Sequence, residues 1–371
     1  MHPAGHPAVT VIISTFNRCE SLARAVRSVL AQEASTPLFE VVVVDNNSSD
    51  RTSEVVAELA SADPRVRYHF EGRQGLSYAR NRGIEAARAP ILAFTDDDVR
   101  VAPDWVSSIV RAFEQHPDVD FVGGRVLPDW PFEPPRWLTP ANWSPLALQE
   151  YPATFRSHSG RQVCLVGASL AFRRDVFDRV GLFSADFQRV EDGIGSTEDH
   201  ELLRRIWARG GQGVYAPEVI VTAEVQPERM TKSYHRRWYR GHGRFVARME
   251  RPTAGDAPRR RAADAATLFS TPAYFYRSLI GKSARWLLSF PRLPRDRRFR
   301  IEGELLEQVH YVAENFRYHR AVAAGQKGIR EVGRFAVALA RKKFGRRDAA
   351  GELPYRRRST DIGKGAPLLN L

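Results

Sequence analysis

The first half of the chain alternates between short apolar runs and amphipathic stretches. Residues 9–14, VTVIIS, form an apolar run rich in β-branched residues, which is typical of a strand buried on both faces. Residues 21–32 then repeat their apolar side chains at helical spacing. Strand-like and helix-like patterns continue to alternate as far as residue 95. This alternation predicts an α/β fold with a mostly parallel sheet flanked by helices.

The later elements of this half follow the same rule. We predict strands at residues 39–45, 65–70 and 90–95, a helix capped by Ser49 or Asp50, and a helix at residues 75–89. Three of the predicted strands end in polar residues, which are Ser14 and Thr15, Asp45 and Asn46, and Asp96 to Asp98. Ligands bind at the carboxyl ends of the strands in such sheets, so we expect these residues to share one crevice.

The most unusual of these strand ends carries three consecutive aspartates, Asp96, Asp97 and Asp98. Three carboxylates at one strand end repel each other unless a cation lies among them. Oxygen-rich sites select hard cations such as Mg²⁺ or Mn²⁺, which often bind a substrate diphosphate as well. The pattern therefore predicts a metal–diphosphate anchor. A solvated turn that caps a following helix is the alternative.

Composition limits the classes of function. The chain has 371 residues, of which 43% are hydrophobic and 27% charged, so we expect a folded chain with one large and one smaller domain. The net charge of +13 favours anionic partners. The two cysteines, Cys19 and Cys164, allow one disulfide but indicate neither a disulfide framework nor a zinc site. We see no secretory signal and no apolar run long enough to span a bilayer.

Two common phosphate-binding motifs are absent from the sequence. No G-x-G-x-x-G follows the first strand, and no G-x-x-x-x-G-K-[ST] occurs anywhere. A dehydrogenase and a P-loop enzyme are therefore disfavoured.

The motifs VTVIISTFNR, FEVVVVDNNSSDRT, GLSYARNRGI and LAFTDDDV, in this order, resemble the nucleotide-binding half of family 2 inverting glycosyltransferases. The resemblance continues in GASLAFRRDVFDRVGLF and STEDHELLRRIWARGGQGVYAPEVIV and covers roughly residues 8–225. It implies a GT-A (Rossmann-like) fold, a nucleoside-diphosphate sugar as donor, and Mg²⁺ or Mn²⁺ as cofactor.

The resemblance also implies roles for single residues of the donor site. Those assigned to the donor are Thr15 and Phe16 along the base, Asp45 at the base edge, Arg80 near the donor, and Asp96 and Asp97 towards the ribose and metal. Asp96 and Asp98 are the implied metal ligands, with Asp98 as the principal one. Asp45 could instead be a turn residue bonded to nearby backbone, and Arg80 could lie on a solvated helix face.

Asp199 matches the general base of the family, and it follows Glu198 in the pair ED. We predict that it takes the proton of the acceptor hydroxyl. The alternative is that an acidic residue in the first turn of a helix serves only the helix dipole.

Four features depart from the family or extend beyond it. Glu224 lies where the family often has a histidine, and Ser14 and Phe16 replace Pro and Tyr. The acceptor motif is incomplete in residues 237–244, which favours a non-processive enzyme; Trp238 there suits ordinary packing. Residues 128–146 contain six prolines and three tryptophans, so we expect neither helix nor central strand there. This loop could stack on a sugar or cover the core.

The tail differs from the rest of the chain. A charged linker at residues 257–266 precedes a helical pattern at residues 275–290. An apolar arc on that helix contains Phe275, Tyr276, Leu279, Ile280, Trp286, Leu287 and Phe290. It suits a membrane interface or packing on the catalytic domain. Further helices are predicted near residues 304–318 and 329–344, and the last ends in the polybasic RKKFGRR.

These patterns predict an inverting glycosyltransferase with a GT-A domain at residues 1–225 and a basic, mainly helical region at residues 226–371. The expected acceptor is a glycan or a lipid-linked glycan. We expect a cytoplasmic protein, with the tail as a candidate attachment to the anionic inner face of the cell membrane. Two alternatives stay open, a nucleic-acid-binding protein or metal-dependent nuclease and a catalytically silent membrane scaffold. Nucleic acid is the less expected partner, because no recognisable nucleic-acid module is present.

Overall fold

A computed structural model of the protein describes residues 6–188, 194, 197–251, 267–290 and 293–322. The chain divides into two compact units, the first ending at His235 and the second beginning at Arg236.

The first unit begins with four parallel strands in the spatial order β3-β2-β1-β4. These strands are β1 (Val9–Thr15), β2 (Phe39–Asp45), β3 (Val66–Phe70) and β4 (Ile91–Asp96). The connecting helices are α1 (Cys19–Leu30), α2 (Thr52–Ala62) and α3 (Leu76–Ala86). All seven elements were predicted from the hydrophobic pattern. The central strands β1 and β2 are buried along almost their whole length, as their apolar runs required.

Beyond β4 the sheet is mixed, and it continues in the order β8-β6-β9-β5, with β7 paired to β9. The added strands are β5 (Val99–Val101), β6 (Phe121–Asp129), β7 (Phe155–Ser157), β8 (Leu170–Arg173) and β9 (Gly213–Glu224). The helices of this part are α4 (Trp105–Gln115), α5 (Asp175–Val180) and α6 (Glu198–Ala208). The predicted α/β class with a helix-flanked sheet is confirmed.

The strand ends that were expected to meet do so. Thr15 pairs in register with Asp45, and Ser14 pairs with Asp96 on the other side of β1. A cluster of Phe94, Phe172, Phe177 and Phe183 packs beside β4 with ring centroids 5.4 to 6.4 Å apart. This aromatic cluster fixes the position of β4 and β8 beneath the crevice.

The first two residues of the segment 128–146 are strand, although not central strand. Pro128 and Asp129 belong to β6, which lies between β8 and β9. Strand β8 pairs only with residues 121–123 of β6, so Pro128 has a paired residue, Ala223, on one side only. On the other side no strand of the described chain is paired with it, so the N–H that proline lacks removes no sheet hydrogen bond there.

The rest of that segment is irregular, with short 3₁₀ turns at Pro140–Asn142 and Ser144–Leu146. Its tryptophans Trp130, Trp137 and Trp143 pack against the hydrophobic core, and Trp137 also meets the edge of His235 at 4.9 Å between ring centroids. These contacts support the interpretation of the loop as a cover of the core. Cys19 and Cys164 are both free thiols, so no disulfide joins them.

The described part of the second unit is mainly helical. Its elements are most of α7 (Lys232–Met249), a two-stranded pair β10 (Thr267–Leu268) and β11 (Thr271–Pro272), α8 (Ala273–Leu288) and α9 (Arg295–Val322). The ring of Phe275 stacks on Tyr311 at 4.1 Å, and Lys282 pairs with Glu304 at 3.3 Å. Trp238 stacks on His242 at 4.4 Å, which is the packing role expected of it. The predicted helix at 329–344 and the polybasic stretch lie outside the described residues.

Candidate active site

The three aspartates lie on a tight turn between β4 and β5. Asp96 is the last residue of β4, Asp97 and Asp98 form the turn, and the backbone N–H of Glu224 donates to the carbonyl of Asp98 at 2.9 Å. The alternative, a solvated turn that caps a helix, was therefore right that the aspartates lie on a turn. It was wrong about the helix and about the solvation of Asp97. A strand follows rather than a helix, and Asp97 is only 6% exposed.

Asp97 is held from three directions. Its carboxylate accepts from the Thr15 hydroxyl at 2.8 Å and from Arg18 Nη1 at 3.1 Å, and its carbonyl accepts from the Ser21 hydroxyl at 2.8 Å. Burial raises the pKa of Asp97 to about 7, against the opposing effect of Arg18. Thr15, which was expected along the base, is thus buried with its hydroxyl on Asp97. Its neighbour Phe16 is exposed at the end of β1.

Asp98 is bonded to side chains from two other parts of the unit. Arg18 Nη1 lies 2.9 Å from its Oδ2, and the Gln226 amide donates to the same oxygen at 3.2 Å. The same nitrogen of Arg18 therefore bridges Asp97 and Asp98. Glu224, which stands where a histidine was expected, pairs with Arg24 at 2.8 Å.

Asp45 is buried at the end of β2 and accepts two hydrogen bonds. The Ser48 backbone N–H donates to Oδ1 and the Tyr68 hydroxyl to Oδ2, each at 2.9 Å. Burial and the Asp45 carboxylate raise the pKa of Tyr68 to about 12. The alternative role of Asp45, a turn residue bonded to nearby backbone, thus accounts for one of the two contacts, the one from Ser48. An ionised carboxylate has about four acceptor sites, so these two bonds leave capacity for a further donor.

Arg80 joins the acidic turn to the start of α6. Its Nη1 lies 2.5 Å from Asp199 Oδ1 and 3.2 Å from Glu198 Oε1, and its Nη2 lies 3.7 Å from Asp96 Oδ1. Arg80 is 4% exposed, which rules out the solvated helix face. Burial opposes its charge, but Asp199, Glu198 and Asp96 outweigh this effect and hold the pKa of Arg80 above its ordinary value. The guanidinium also lies 5.3 Å from the Phe183 ring.

Asp199 occupies the first turn of α6, as predicted. Its Oδ2 accepts from the backbone N–H of Gly167 at 3.1 Å, and its Oδ1 accepts from Arg80. Burial raises the pKa of Asp199 to about 6, while Arg80 opposes the rise. Both of these hydrogen-bond partners come from outside its own helix, so an interaction with the helix dipole does not account for its placement. A carboxylate with a pKa near neutrality is suited to general-base chemistry.

The acidic turn offers the hard oxygen donors that Mg²⁺ or Mn²⁺ needs. Among the described residues, no group of three or more His, Cys, Asp or Glu side chains is arranged to hold a metal ion. A metal that binds together with a diphosphate usually takes only one or two protein carboxylates. Asp96 and Asp98 carry the carboxylates of the acidic turn that were predicted as such ligands, and this assignment stays a prediction.

Four residues of the site were not found from the sequence. Direct contacts to the acidic turn or to Asp199 come from Arg18, Ser21, Gly167 and Gln226. Arg18 lies in TFNR and Gly167 in GASLAFRR, two of the motifs that carry the family resemblance, so the signal was present but named no role. Gln226 lies just beyond the last motif.

Residues 10–181 match the family model described as glycosyl transferase family 2. This segment, just under half of the chain, is a glycosyl transferase family 2 domain. The chain is a glycosyltransferase, as the motifs predicted.

Two characterised relatives illustrate the family. The glucosyl-dolichyl phosphate glucuronosyltransferase of Haloferax volcanii is 29% identical over 253 residues, which are 67% of this chain and 80% of the relative. The succinoglycan biosynthesis protein ExoO of Rhizobium meliloti is 30% identical over 220 residues, which are 57% of this chain and 59% of the relative. The match thus covers most of the first relative but less than two thirds of ExoO.

Two solved structures share the fold. The mannosyltransferase PcManGT from Pyrobaculum calidifontis, in complex with GDP-Man and Mn²⁺, has a TM-score of 0.50 and 18% identity and covers 92% of this chain and 82% of its own. S. aureus TarS 1-349 with UDP-GlcNAc has a TM-score of 0.51 and 15% identity and covers 91% of this chain and 92% of its own. The GT-A fold expected from the motifs is confirmed.

Gly167 lies so close to the Asp199 carboxylate and the Arg80 guanidinium that no side chain fits at this position. A Cβ at this position would lie 2.3 Å from Asp199 Oδ2 and 2.7 Å from Arg80 Nη2. The Gly167→Ala variant tests the predicted role of Asp199. The added Cβ should displace the carboxylate, and misplacing a general base by about 1 Å should lower turnover on the order of 10²-fold.

Gly72→Ala is the matched control, since a Cβ there would meet only the Phe70 ring at an ordinary 3.5 Å. Turnover and melting temperature are measured on both variants. Parental turnover of a folded Gly167→Ala protein would show that Asp199 does not need this backbone contact.

Proposed function

We propose that this glycosyltransferase moves a sugar from a nucleoside-diphosphate sugar to a hydroxyl of a glycan or lipid-linked acceptor, with inversion at the anomeric carbon. The observation that carries the proposal is the position of Arg80. One buried guanidinium contacts Asp96 at the acidic turn and also bonds Asp199 at the start of α6. Such a contact would hold the base at a fixed distance from a donor bound at the turn.

The proposed reaction is a single displacement. The acceptor oxygen attacks the anomeric carbon, the bond from that carbon to the diphosphate oxygen breaks, and the nucleoside diphosphate leaves with the electron pair. The Asp199 carboxylate takes the hydroxyl proton. Its two hydrogen bonds, from Arg80 and Gly167, orient it while it remains 21% exposed towards an incoming acceptor.

The donor would lie along the ends of the parallel strands. Thr15, Phe16 and Asp45 follow β1 and β2 at the edge where nucleotides bind in such sheets, and Asp96 and Asp97 stand beside them. The structural neighbours were solved with GDP-Man and UDP-GlcNAc, which supports this class of donor. Asp98, together with Asp96, would hold Mg²⁺ or Mn²⁺, which would neutralise the charge developing on the diphosphate.

The acceptor class is proposed from the relatives. The Haloferax volcanii relative is named for a glucosyl-dolichyl phosphate, a lipid-linked sugar, and ExoO is named for succinoglycan biosynthesis. A lipid-linked or polymer-bound hydroxyl is consistent with both. Membership of the family removes the support for the nuclease and for the silent scaffold.

An apolar patch on the second unit supports an association with anionic membrane surfaces, at the inner face of the cell membrane. The patch consists of Ile280, Leu287, Leu288 and Phe290, which are 51% to 69% exposed. Only part of the apolar arc predicted for this helix is exposed, because Phe275 stacks on Tyr311 and Trp286 is half-buried. Exposed Arg277 and Arg285 border the patch. No helix among the described residues has the length and apolar character to cross a bilayer.

The role of Asp199 predicts a specific kinetic change. Asp199→Asn keeps the shape of the side chain but cannot accept a proton, so turnover should fall about 10²- to 10⁴-fold while donor affinity stays within a few-fold. In the parent, turnover should fall as the pH is lowered through about 6, because the base must be ionised and its pKa is raised to that value.

Asp175→Asn serves as the control, because Asp175 is also an acidic residue in the first turn of a helix and is exposed. It should leave turnover unchanged. Near-parental turnover of Asp199→Asn would move the base elsewhere, with Glu198 as the first candidate.

The role of Asp98 is tested by ligand-dependent melting. In the parent, the true donor should raise the melting temperature further when Mn²⁺ is added, because both bind the folded state. Asp98→Asn should lose the Mn²⁺-dependent part of this shift, since an amide is a poorer ligand for a hard cation. A panel of UDP, GDP and their sugars identifies the donor first.

Asp129→Asn is the matched control, because Asp129 lies at the end of β6 in this sheet and, like Asp98, pairs with an arginine, which is Arg100. It should retain the full shift. A parental response of Asp98→Asn would show that the acidic turn does not anchor a metal.

Membrane association is tested with sedimented vesicles of anionic phospholipid. The parent should sediment with them at low salt, and added salt should weaken binding only partly because burial of the apolar patch remains. Leu287→Glu should abolish binding, whereas Ser61→Glu, the same charge at an exposed helix position of the first unit, should not. Parent protein that stays in the supernatant at low salt would assign the patch to a protein contact instead.

A further inference from the structure

Arg18 occupies the position between two carboxylates of the acidic turn. Its Nη1 lies 3.1 Å from Asp97 Oδ1 and 2.9 Å from Asp98 Oδ2. The side chain of Arg18 is 40% exposed, whereas those of Asp97 and Asp98 are 8% and 14% exposed. The guanidinium therefore covers the carboxylates on their solvent side, from which a ligand would approach.

Both carboxylates keep another hydrogen-bond donor if Arg18 leaves. Asp97 retains the Thr15 hydroxyl at 2.8 Å, and Asp98 retains the Gln226 amide at 3.2 Å. Leaving a buried polar group without a partner is what makes most buried ion pairs costly to break. That penalty is reduced here, so the Arg18 contact can be exchanged for another.

The chemistry of Arg18 favours an exchange partner of a particular class. A guanidinium binds phosphate oxygens in a bidentate manner, and a divalent cation binds carboxylate oxygens. If the cation takes Asp98, Arg18 loses one of its two carboxylates, and its guanidinium complements the charge of the diphosphate.

We propose that Arg18 is an exchangeable counter-cation of the acidic turn, which pairs with Asp98 in the free enzyme and moves to the donor diphosphate when a divalent cation binds. This inference rests on the proposed metal-dependent function. Arg18 competes with the cation for Asp98 when no nucleotide is present and favours the nucleotide once it has been displaced. Metal and nucleotide binding are therefore coupled through Arg18, and the coupling is reciprocal.

The test measures binding rather than turnover. The affinity for Mn²⁺ is determined from the spin-resonance signal of free Mn²⁺, without nucleotide and with saturating UDP or GDP, whichever binds. Arg18→Gln should bind Mn²⁺ alone about tenfold more tightly than the parent, because two charge-assisted hydrogen bonds no longer compete. The gain in Mn²⁺ affinity on adding the nucleotide should be smaller in this variant than in the parent.

Two further variants control for charge and folding. Arg100→Gln removes the same charge two residues beyond the turn, where Arg100 pairs with Asp129 at 2.5 Å, and should bind Mn²⁺ within about twofold of the parent. Arg18→Lys keeps the charge and should bind Mn²⁺ alone less tightly than Arg18→Gln.

The outcomes separate this inference from the proposed function. If the parent binds Mn²⁺ and Arg18→Gln binds it no more tightly than Arg100→Gln does, the competition is absent and the role of Arg18 is overturned while the metal site stands. Loss of nucleotide affinity in Arg18→Gln without any gain in Mn²⁺ affinity would make Arg18 a fixed phosphate ligand, which also overturns the exchange. If neither the parent nor Arg18→Gln binds Mn²⁺ with or without nucleotide, both ideas fail together.

Discussion

The buried charge of Arg80 is the constraint on which the catalytic crevice depends. A guanidinium that is 4% exposed requires anionic partners, and Asp96, Glu198 and Asp199 supply them from the end of β4 and the start of α6. Removing one partner of such a group costs about 3–5 kcal/mol, since the remaining charge is left buried. The same requirement ties the donor side of the crevice to the proposed base. The aromatic cluster below, with Phe183 under the guanidinium, keeps this arrangement dry on one side.

The requirement also bears on the proposed role of Asp199 as a base, because Asp199 touches a cation. A guanidinium at hydrogen-bond distance lowers the pKa of a carboxylate, and burial raises it. In this crevice burial has the larger effect, because Arg80 divides its charge among three carboxylates and Glu198 adds repulsion. A single isolated pair would have left Asp199 a much weaker base.

The hydrophobic pattern predicted the first four strands and three helices because it depends on burial alone, as in β1 and β2. The hydrophobic pattern could not predict contacts between side chains that are distant in sequence. Arg18 reaches Asp98 across 80 positions, and nothing in the local pattern of TFNR encodes that distance. The burial of Arg80 could not be predicted either, because the sequence pattern of a helix with a basic residue is the same whether that residue faces solvent or carboxylates. The strand position of Pro128 was also beyond the pattern, because the rule for proline excludes only a strand paired on both sides, and the extent of pairing follows from the folded sheet.

The charges of the crevice set the order in which ligands can enter it. Five carboxylates, which are those of Asp96, Asp97, Asp98, Glu198 and Asp199, face two guanidiniums, those of Arg18 and Arg80. The raised pKa values of Asp97 and Asp199 are the response of the protein to this excess of negative charge and to burial. A diphosphate that approached alone would meet repulsion from the same carboxylates. Anionic donors can therefore enter only with additional positive charge, and Arg80 cannot supply it, because its withdrawal would release the base. Arg18, half-exposed and replaceable at both of its carboxylates, is the cation of this crevice that can turn towards an anion without loss of the catalytic geometry.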